Sequence, residues 1–292
     1  MKTFSLAAIL ATLTFFRATA QVGVEITTEQ EQFLPGEAVP VAVKITNRSG
    51  QPIHLGATPD WLTFNVESVD SFVVIKKGEA PLMGEFDLES SQMGTKRADL
   101  QPYFEIVKPG RYKVIATLRI KDWSVAMTSP PKYFDVVNGA DLWSQDFGLP
   151  PAAGETNAVP EVRKFTLIEA NYLRSQLRLY VRVSDPTISR VFKISPLGAL
   201  VSFSHPEAQV DRTSNLHVLW QSGAQSFIYC LISTDGVVLR RDIYDYVTTR
   251  PRLDVNGQGE VVVVGGVRRI HPADYSDVKL PTELPASRPS QP

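Results

Sequence analysis

One cysteine stands in 292 residues. A single thiol cannot close an intrachain disulfide, so in any compartment the stability of the chain has to come from a packed core. Cys230 lies between Tyr229 and Leu231 in a strand-like apolar run, with no neighbour in sequence to activate a thiolate, and is expected as a small buried hydrophobe. Histidine is also scarce. His54, His205, His217 and His271 are too far apart to form the close pairs of a local zinc motif, and no H-E-x-x-H occurs. His217 falls inside a strand, where a hydrogen-bonded sheet histidine is expected. A G-x-S-x-G elbow, a Walker loop and a G-x-G-x-x-G opening a helix are all missing. No cofactor is implied, although an active site gathered from residues distant in sequence stays open.

Charge and hydropathy remove further classes. The formal net charge is −1 with 21% charged residues, and the mildly basic back half lacks the dense Lys/Arg stripe that nucleic acid requires. Beyond residue 20 no apolar run is long enough to span a bilayer as a helix. The first twenty residues, MKTFSLAAILATLTFFRATA, combine Lys2, an apolar stretch from Phe4 to Phe16 and the small-residue end Ala18-Thr19-Ala20. That order predicts a signal peptide over 1–20, a mature chain from Gln21, and a secreted or periplasmic protein. No cysteine follows the cleavage region, so a lipid anchor is not indicated.

What is present is strand. From 22 to 137 short runs (VGVEI, VPVAVKIT, LTFNVES, FVVIKK, PYFEIV, RYKVIATLRI, KYFDVV) are separated by turn residues such as Pro35-Gly36, Ser49-Gly50 and Pro109-Gly110. In VPVAVKIT, Val39, Val41, Val43 and Ile45 alternate with smaller or polar residues, which makes one face of the strand apolar. Strands at this spacing predict an antiparallel sandwich over 21–138. The stretches FLPGEAVPVAVKITNRSGQPI and KPGRYKVIATLRI resemble bacterial secreted immunoglobulin-like or fibronectin-like domains, with a Pro-Gly-Glu turn before an early strand and a Pro-Gly-x-Tyr turn opening a late one. The cysteine pair and core tryptophan of antibody domains are lacking, so the resemblance implies the broad sandwich class. Two roles are open for Tyr112: a tyrosine corner, or plain core packing. A weaker similarity is to the immunoglobulin-like fold of a bacterial proteinase-inhibitor family. Asn47-Arg48-Ser49 fits a glycosylation sequon, but in a turn where asparagine has a local role.

Residues 139–163 lose the alternation and collect Pro, Gly and Ala, which predicts a linker, packed where it carries Leu142, Trp143 and Phe147 and mobile over 150–160. The Pro-rich segment 271–292 reads as a disordered tail. Between them, 164–270 reads as a second small β domain built from about two related units. LRLYVRV at 177 aligns with LHVLWQS at 216, FKISPLGALVS with YCLISTDGVVL, and PEAQVDRTSNLHV with PRLDVNGQGEVVV, at a period of about 40 residues, as in a propeller blade. The phrase NLHVLWQ…FIYCLISTDGVV resembles blades of sialidase-like and related bacterial propellers. A closed propeller needs about 4 to 8 blades, so the expectation is a sandwich-like pair of sheets whose exposed ends offer a route to oligomers.

Two candidate sites follow. Tyr244 and Tyr246, at alternate positions and flanked by Arg240, Arg241, Arg250 and Arg252, have the composition of a binding surface, to which Trp220 is added; core filling by Trp220, Tyr229 and Tyr244 is the alternative. Asp254-x-Asn256-x-Gln258-Gly259 resembles the start of a calcium loop, but Gly265 stands where a bidentate glutamate is wanted. Taken together, the sequence predicts an all-β, exported, non-catalytic binding or scaffolding protein with an unknown protein or glycan ligand. The alternatives are a polysaccharide hydrolase or carbohydrate-binding accessory protein, and a secreted proteinase inhibitor.

Overall fold

The computed structural model describes residues 22–149 and 161–270, apart from residues 71, 83, 122, 124, 125, 174 and 175. The expected signal peptide 1–20, the segment 150–160 expected to be mobile, the expected tail 271–292 and His271 lie outside the described residues. The chain divides into two units, Met1–Asn138 and Gly139–Pro292. Among the described residues all the regular elements are strands, and no helix is long and apolar enough to cross a membrane.

The first unit contains β1 (Val22–Thr28), β2 (Gln32–Phe33), β3 (Pro40–Asn47), β4 (Ile53–Leu55), β5 (Leu62–Ser68), β6 (Phe86–Leu88), β7 (Met93–Asp99), β8 (Gly110–Leu118), β9 (Met127–Thr128) and β10 (Lys132–Val136). One sheet runs β1-β3-β7; a second runs β2-β10-β8-β5 with β9 on β8; β4 and β6 pair separately. Pairing is antiparallel except between β2 and β10. The apolar alternation fixes the faces: Val41, Val43 and Ile45 on β3 and Tyr112, Val114, Ala116 and Leu118 on β8 are fully buried and share one core with Phe33, Leu62, Phe64 and Phe134. Each such side chain contributes roughly 1.5–3 kcal/mol relative to exposure, and a one-residue slip would turn the whole row to water.

Two expected strands do not form. Residues 72–77 make only an isolated bridge, Lys76 to Phe104, with Val73 83% exposed, and 102–107 is irregular although Phe104 and Ile106 are buried. Conversely β7, polar in sequence, forms one edge of its sheet with none of its side chains fully buried, so it carries no apolar rhythm to read.

The turn chemistry is specific. Gly36 sits at φ 82°, and the turn closes through Glu37 N–H to Leu34 O at 3.0 Å. The buried Glu37 carboxylate accepts from Leu34 N and from Gln30 Nε2, each at 2.7 Å. Tyr112 donates its hydroxyl to Lys108 O at 2.6 Å, a tyrosine corner, while its ring stacks on Phe134 at 5.4 Å, so both roles weighed for it are realised. Burial pushes its phenol pKa up. At the sequon, Asn47 is fully buried and its amide donates to Gln51 O and Leu88 O, each at 2.8 Å. A glycan there would have to displace both bonds.

The second unit contains β11 (Ala140–Gly148), β12 (Val162–Tyr172), β13 (Gln176–Ser184), β14 (Val191–Leu200), β15 (Glu207–Val210), β16 (Leu216–Gln221), β17 (Ser226–Ile232), β18 (Val238–Asp245), β19 (Arg252–Val255), β20 (Val261–Val264) and β21 (Val267–Arg268). Three antiparallel sheets result: β11-β12-β13-β14, then β15-β16-β17-β18-β21, then β19-β20 alone. Residues 140–148, expected as linker, are therefore the first strand of a sheet. A bulge between Asp141 and Trp143 breaks the alternation that would have revealed it, and Phe147 is buried against Phe165 at 4.0 Å between ring centroids. The first two sheets share a core in which Leu167, Leu179, Val181 and Leu197 meet Leu216, Val218, Trp220, Cys230 and Ile232.

The internal correspondence holds differently from the alignment drawn on sequence. Residues 177–183 belong to the third strand of the first sheet and 216–222 to the second strand of the next, so that match is one strand out of phase. The β15–β16 and β19–β20 loops, however, are the same structure. Asp211 N donates to Asn215 O and Ser214 N to Asp211 O; Asn256 N donates to Glu260 O and Gly259 N to Asn256 O, all at 2.9 to 3.1 Å. In each, the leading side-chain oxygen accepts two loop amides, Thr213 and Asn215 in one and Gln258 and Glu260 in the other. The fourth residue is left-handed in both, Ser214 at φ 64° and Gly259 at φ 81°.

Replacing Tyr112 by Phe should cost about 1 kcal/mol, the worth of one hydrogen bond, read as a lower denaturant midpoint with an unchanged m-value. At β4–β6, His54 Nδ1 is 2.7 Å from Asp87 Oδ1 and Nε2 is 3.4 Å from Glu85; Asp87 first, then Glu85, raise its pKa. The tie is complete below the unfolded histidine value and is lost as pH rises through the raised folded one. An NMR titration of His54 should show a midpoint above about 6.5, falling in Asp87→Asn.

Candidate functional site

The second sheet of the second unit is apolar on both sides. Leu216, Val218, Trp220, Cys230 and Ile232 face the first sheet; Leu219, Phe227 and Tyr229 face the other way, with Leu231, Tyr244, Leu253 and Val263 packed around them. Alternation on adjacent strands requires this division, since Leu219 pairs with Tyr229, Tyr229 with Asp242 and Phe227 with Tyr244. The outer face is covered in part by the β19–β20 hairpin, anchored where Leu253 N donates to Glu207 Oε2 at 2.7 Å. Leu231 and Tyr244 are left half-buried and Arg240 exposed.

Two polar arrays are set into this face. In the first, His217, 7% exposed, bridges Asp211 and Tyr229: Nε2 is 3.2 Å from Asp211 Oδ2 and Nδ1 is 2.9 Å from Tyr229 Oη. A carboxylate only accepts, so in the neutral ring Nε2 carries the proton and Nδ1 accepts from the Tyr229 hydroxyl. Burial alone would raise the Asp211 carboxyl, but the Thr213 hydroxyl, the Asn215 amide and His217 together hold it below the ordinary carboxylate value. Burial pushes the Tyr229 phenol up to about 12.

An acid, a histidine and a hydroxyl in line have the order of a nucleophilic triad. His217 and Tyr229 are, however, 7% and 5% exposed, so the hydroxyl is turned into the packed face and is not presented to a substrate. The chain acts as a clamp joining β17, β16 and the 211–215 loop.

In the second array, the buried Asp242 lies between two guanidinium groups. Arg268 Nη1 is 2.9 Å from its Oδ1, a hydrogen-bonded contact. Arg240 Nε approaches its Oδ2 to 2.6 Å without hydrogen-bond alignment, so that contact is Coulombic. Nearby, Asp245 is held below its ordinary value chiefly by hydrogen bonding to Arg269. Neither array was anticipated from sequence as a site. The signal was present in the aspartate heading loop 211–215, whose counterpart in the second hairpin is Asn256.

The predicted binding residues separate. Tyr244 and Arg240 lie on the outer face, and the Arg250 guanidinium stands 5.3 Å from the Phe227 ring centroid. Tyr246, 43% exposed, lies just past the end of β18. Arg252 pairs with Asp254 at 3.4 Å on the exposed hairpin. Arg241 is directed to the opposite side of the sheet, where it donates to Leu197 O and lies 5.9 Å from the Trp220 ring. Trp220 is a correction: it is 1% exposed, and its indole N–H donates to Ala199 O at 2.9 Å, which makes it core. Cys230 is buried in the same core, and burial raises its thiol pKa.

The calcium candidate uses its oxygens elsewhere. Asn256 Oδ1 accepts the Gln258 and Glu260 amides, and Asp254 accepts from Val255 N and Arg252. Among the described residues no cluster of three His, Cys, Asp or Glu side chains could hold a metal ion.

No protein-family model and no curated protein matches this chain. Among solved structures, the crystal structure of Spo0M, a sporulation control protein from Bacillus subtilis, aligns over 56% of this chain and 79% of that one, at 10% identity and a TM-score of 0.27. A likeness that loose carries no argument about fold or function.

Tyr229→Phe should leave His217 Nδ1 buried without a donor and lower stability by about 1–3 kcal/mol. Calorimetry on the variant would check it; a melting temperature unchanged from the parent protein would show that the clamp carries no load.

Proposed function

We propose that this is an exported, non-catalytic binding or scaffolding protein, in which an immunoglobulin-like first unit carries a blade-repeat second unit whose outer face engages a protein or glycan ligand. The observation that carries the reading is that face: Tyr244 and Arg240 stand on a sheet whose own polar groups are already locked in the Asp211–His217–Tyr229 clamp and the Asp242 ion pairs. Aromatic and arginine side chains on a rigid platform are what binding surfaces use.

Several features support the domain reading. In the first unit, a core shared by two sheets, β2 parallel to β10 and the Tyr112 corner agree with an immunoglobulin-like sandwich. In the second, two consecutive antiparallel meanders of at least four strands precede a hairpin with a repeated loop, as expected of blade-like units. Export rests on the leader pattern in residues 1–20.

The test is a screen of the chain from Gln21 onward against a glycan array, a panel of immobilised proteases and a hydrolase substrate panel. Saturable binding without turnover is expected, weakened at least about tenfold in Arg240→Ala, as for an interface hot spot, and recovered in part in Arg240→Lys, which keeps a cation beside Asp242. Turnover of any substrate, abolished by replacing a single carboxylate, would overturn the proposal in favour of a hydrolase.

A further inference from the structure

We propose that Asn138 is a site of spontaneous covalent modification, where the side chain closes a succinimide with the main-chain nitrogen of Gly139 and then opens to aspartate or isoaspartate. The proposal is independent of the binding face.

The sequence contains two Asn-Gly pairs, and each follows a valine: Val137-Asn138-Gly139 and Val255-Asn256-Gly257. Asparagine before glycine is the pairing most open to this ring closure, because a residue without Cβ lets its own nitrogen come close to the preceding side chain. The same tripeptide stands at both places. Which of the two reacts is therefore decided by how the fold holds the asparagine side chain.

At the second pair the side chain is fixed. Asn256 Oδ1 accepts from the Gln258 and Glu260 amides, each at 2.9 Å, and its Nδ2 donates to Glu260 Oε2 at 2.9 Å. Turning Cγ toward the Gly257 nitrogen means leaving all three bonds, which make up the local side-chain-to-backbone lock of the loop. Space is not the obstacle, since Gly257 is exposed and a Cβ built on it would meet nothing within 4 Å. Asp235-Gly236, where a carboxyl could close the same ring, is restrained from the other side: Gly236 is buried and its N–H donates to Ser233 O at 2.9 Å.

Neither restraint acts at Asn138. Residues 137–139 join β10, which ends at Val136, to β11, which begins at Ala140, and Asn138 and Gly139 are both exposed. Among the described residues, neither the Asn138 side chain nor the Gly139 N–H makes a hydrogen bond. The Gly139 nitrogen, giving up its proton, can therefore attack Asn138 Cγ. The new C–N bond forms as the Cγ–Nδ2 bond breaks, and the side-chain nitrogen leaves as ammonia. Water then adds to one of the two imide carbonyls. Opening on one side restores the main chain with an aspartate; opening on the other routes the chain through Cβ and Cγ as isoaspartate. Both products add a negative charge, and isoaspartate also adds one carbon to the main chain where the first unit ends and the second begins.

The test is to age the purified chain in mildly alkaline buffer, folded and in denaturant, and to follow both asparagines by peptide mapping with mass spectrometry. In the folded chain, succinimide and isoaspartate should accumulate at 138 at least about tenfold faster than at 256, since leaving three hydrogen bonds lowers the reactive population at the latter. In denaturant, where both sites are open Val-Asn-Gly, the two rates should converge. Glu260→Ala, which removes the acceptor of Asn256 Nδ2, should speed reaction at 256 and leave 138 unchanged as the internal reference. Equal rates at the two sites in the folded chain, or faster reaction at 256, overturn the proposal. The same ratio in denaturant as in the folded chain also overturns it, by assigning the difference to flanking residues.

Discussion

A sheet that is apolar on one face needs one cover, and a sheet that is apolar on both needs two. The second sheet of the second unit is of the latter kind, with Val218, Trp220 and Cys230 on one side and Leu219, Phe227 and Tyr229 on the other. Its neighbours follow from that requirement. The first sheet covers the row of Val218, Trp220 and Cys230, and a hairpin of two strands covers the other face in part. The half-exposure of Tyr244 and Leu231 and the exposure of Arg240 are consequences of the unequal cover, since roughly 25 cal/mol per Å² favours closing any apolar area left to water.

Polar groups on the same sheet behave as the low dielectric of a covered face demands. A buried carboxylate without partners costs several kcal/mol, and neither Asp211 nor Asp242 is without them: Asp211 accepts from loop amides, a hydroxyl and His217, and Asp242 accepts from Arg268 and lies against the Arg240 cation. The Asp211–His217–Tyr229 line illustrates why geometry alone does not define an active site. Its order is that of acid, base and hydroxyl, but the histidine and the tyrosine are buried in the packed face, and its three members tie adjacent strands and a loop together. Rigidity of this sort suits a surface that binds without reorganising.

Period-two alternation exposed β1, β3, β5, β8 and β10, because each keeps one face in the core and the other in water. It failed at β7, none of whose side chains is fully buried, and at β11, where a bulge interrupts the rhythm and the nearby Pro and Gly suggest a tether. It misled at 72–77 and 102–107, where apolar residues pack without laddering. Turn chemistry was the more dependable signal: Pro35-Gly36-Glu37 and the 256–260 loop both close where their residues require, and Tyr112 makes the backbone bond of one of the two roles open to it.

An all-β chain dependent on its core, without the local motifs of metal or cofactor chemistry, was determined by composition, alternation and a single cysteine, because these depend only on neighbours in sequence. Which aromatic belongs to the core and which to the surface was decided by tertiary structure. Trp220 and Tyr244 are equally apolar and both lie in strands, and only the pairing of β16, β17 and β18 turns the first inward, where a neighbouring sheet closes over it, and the second toward a hairpin too narrow to cover it.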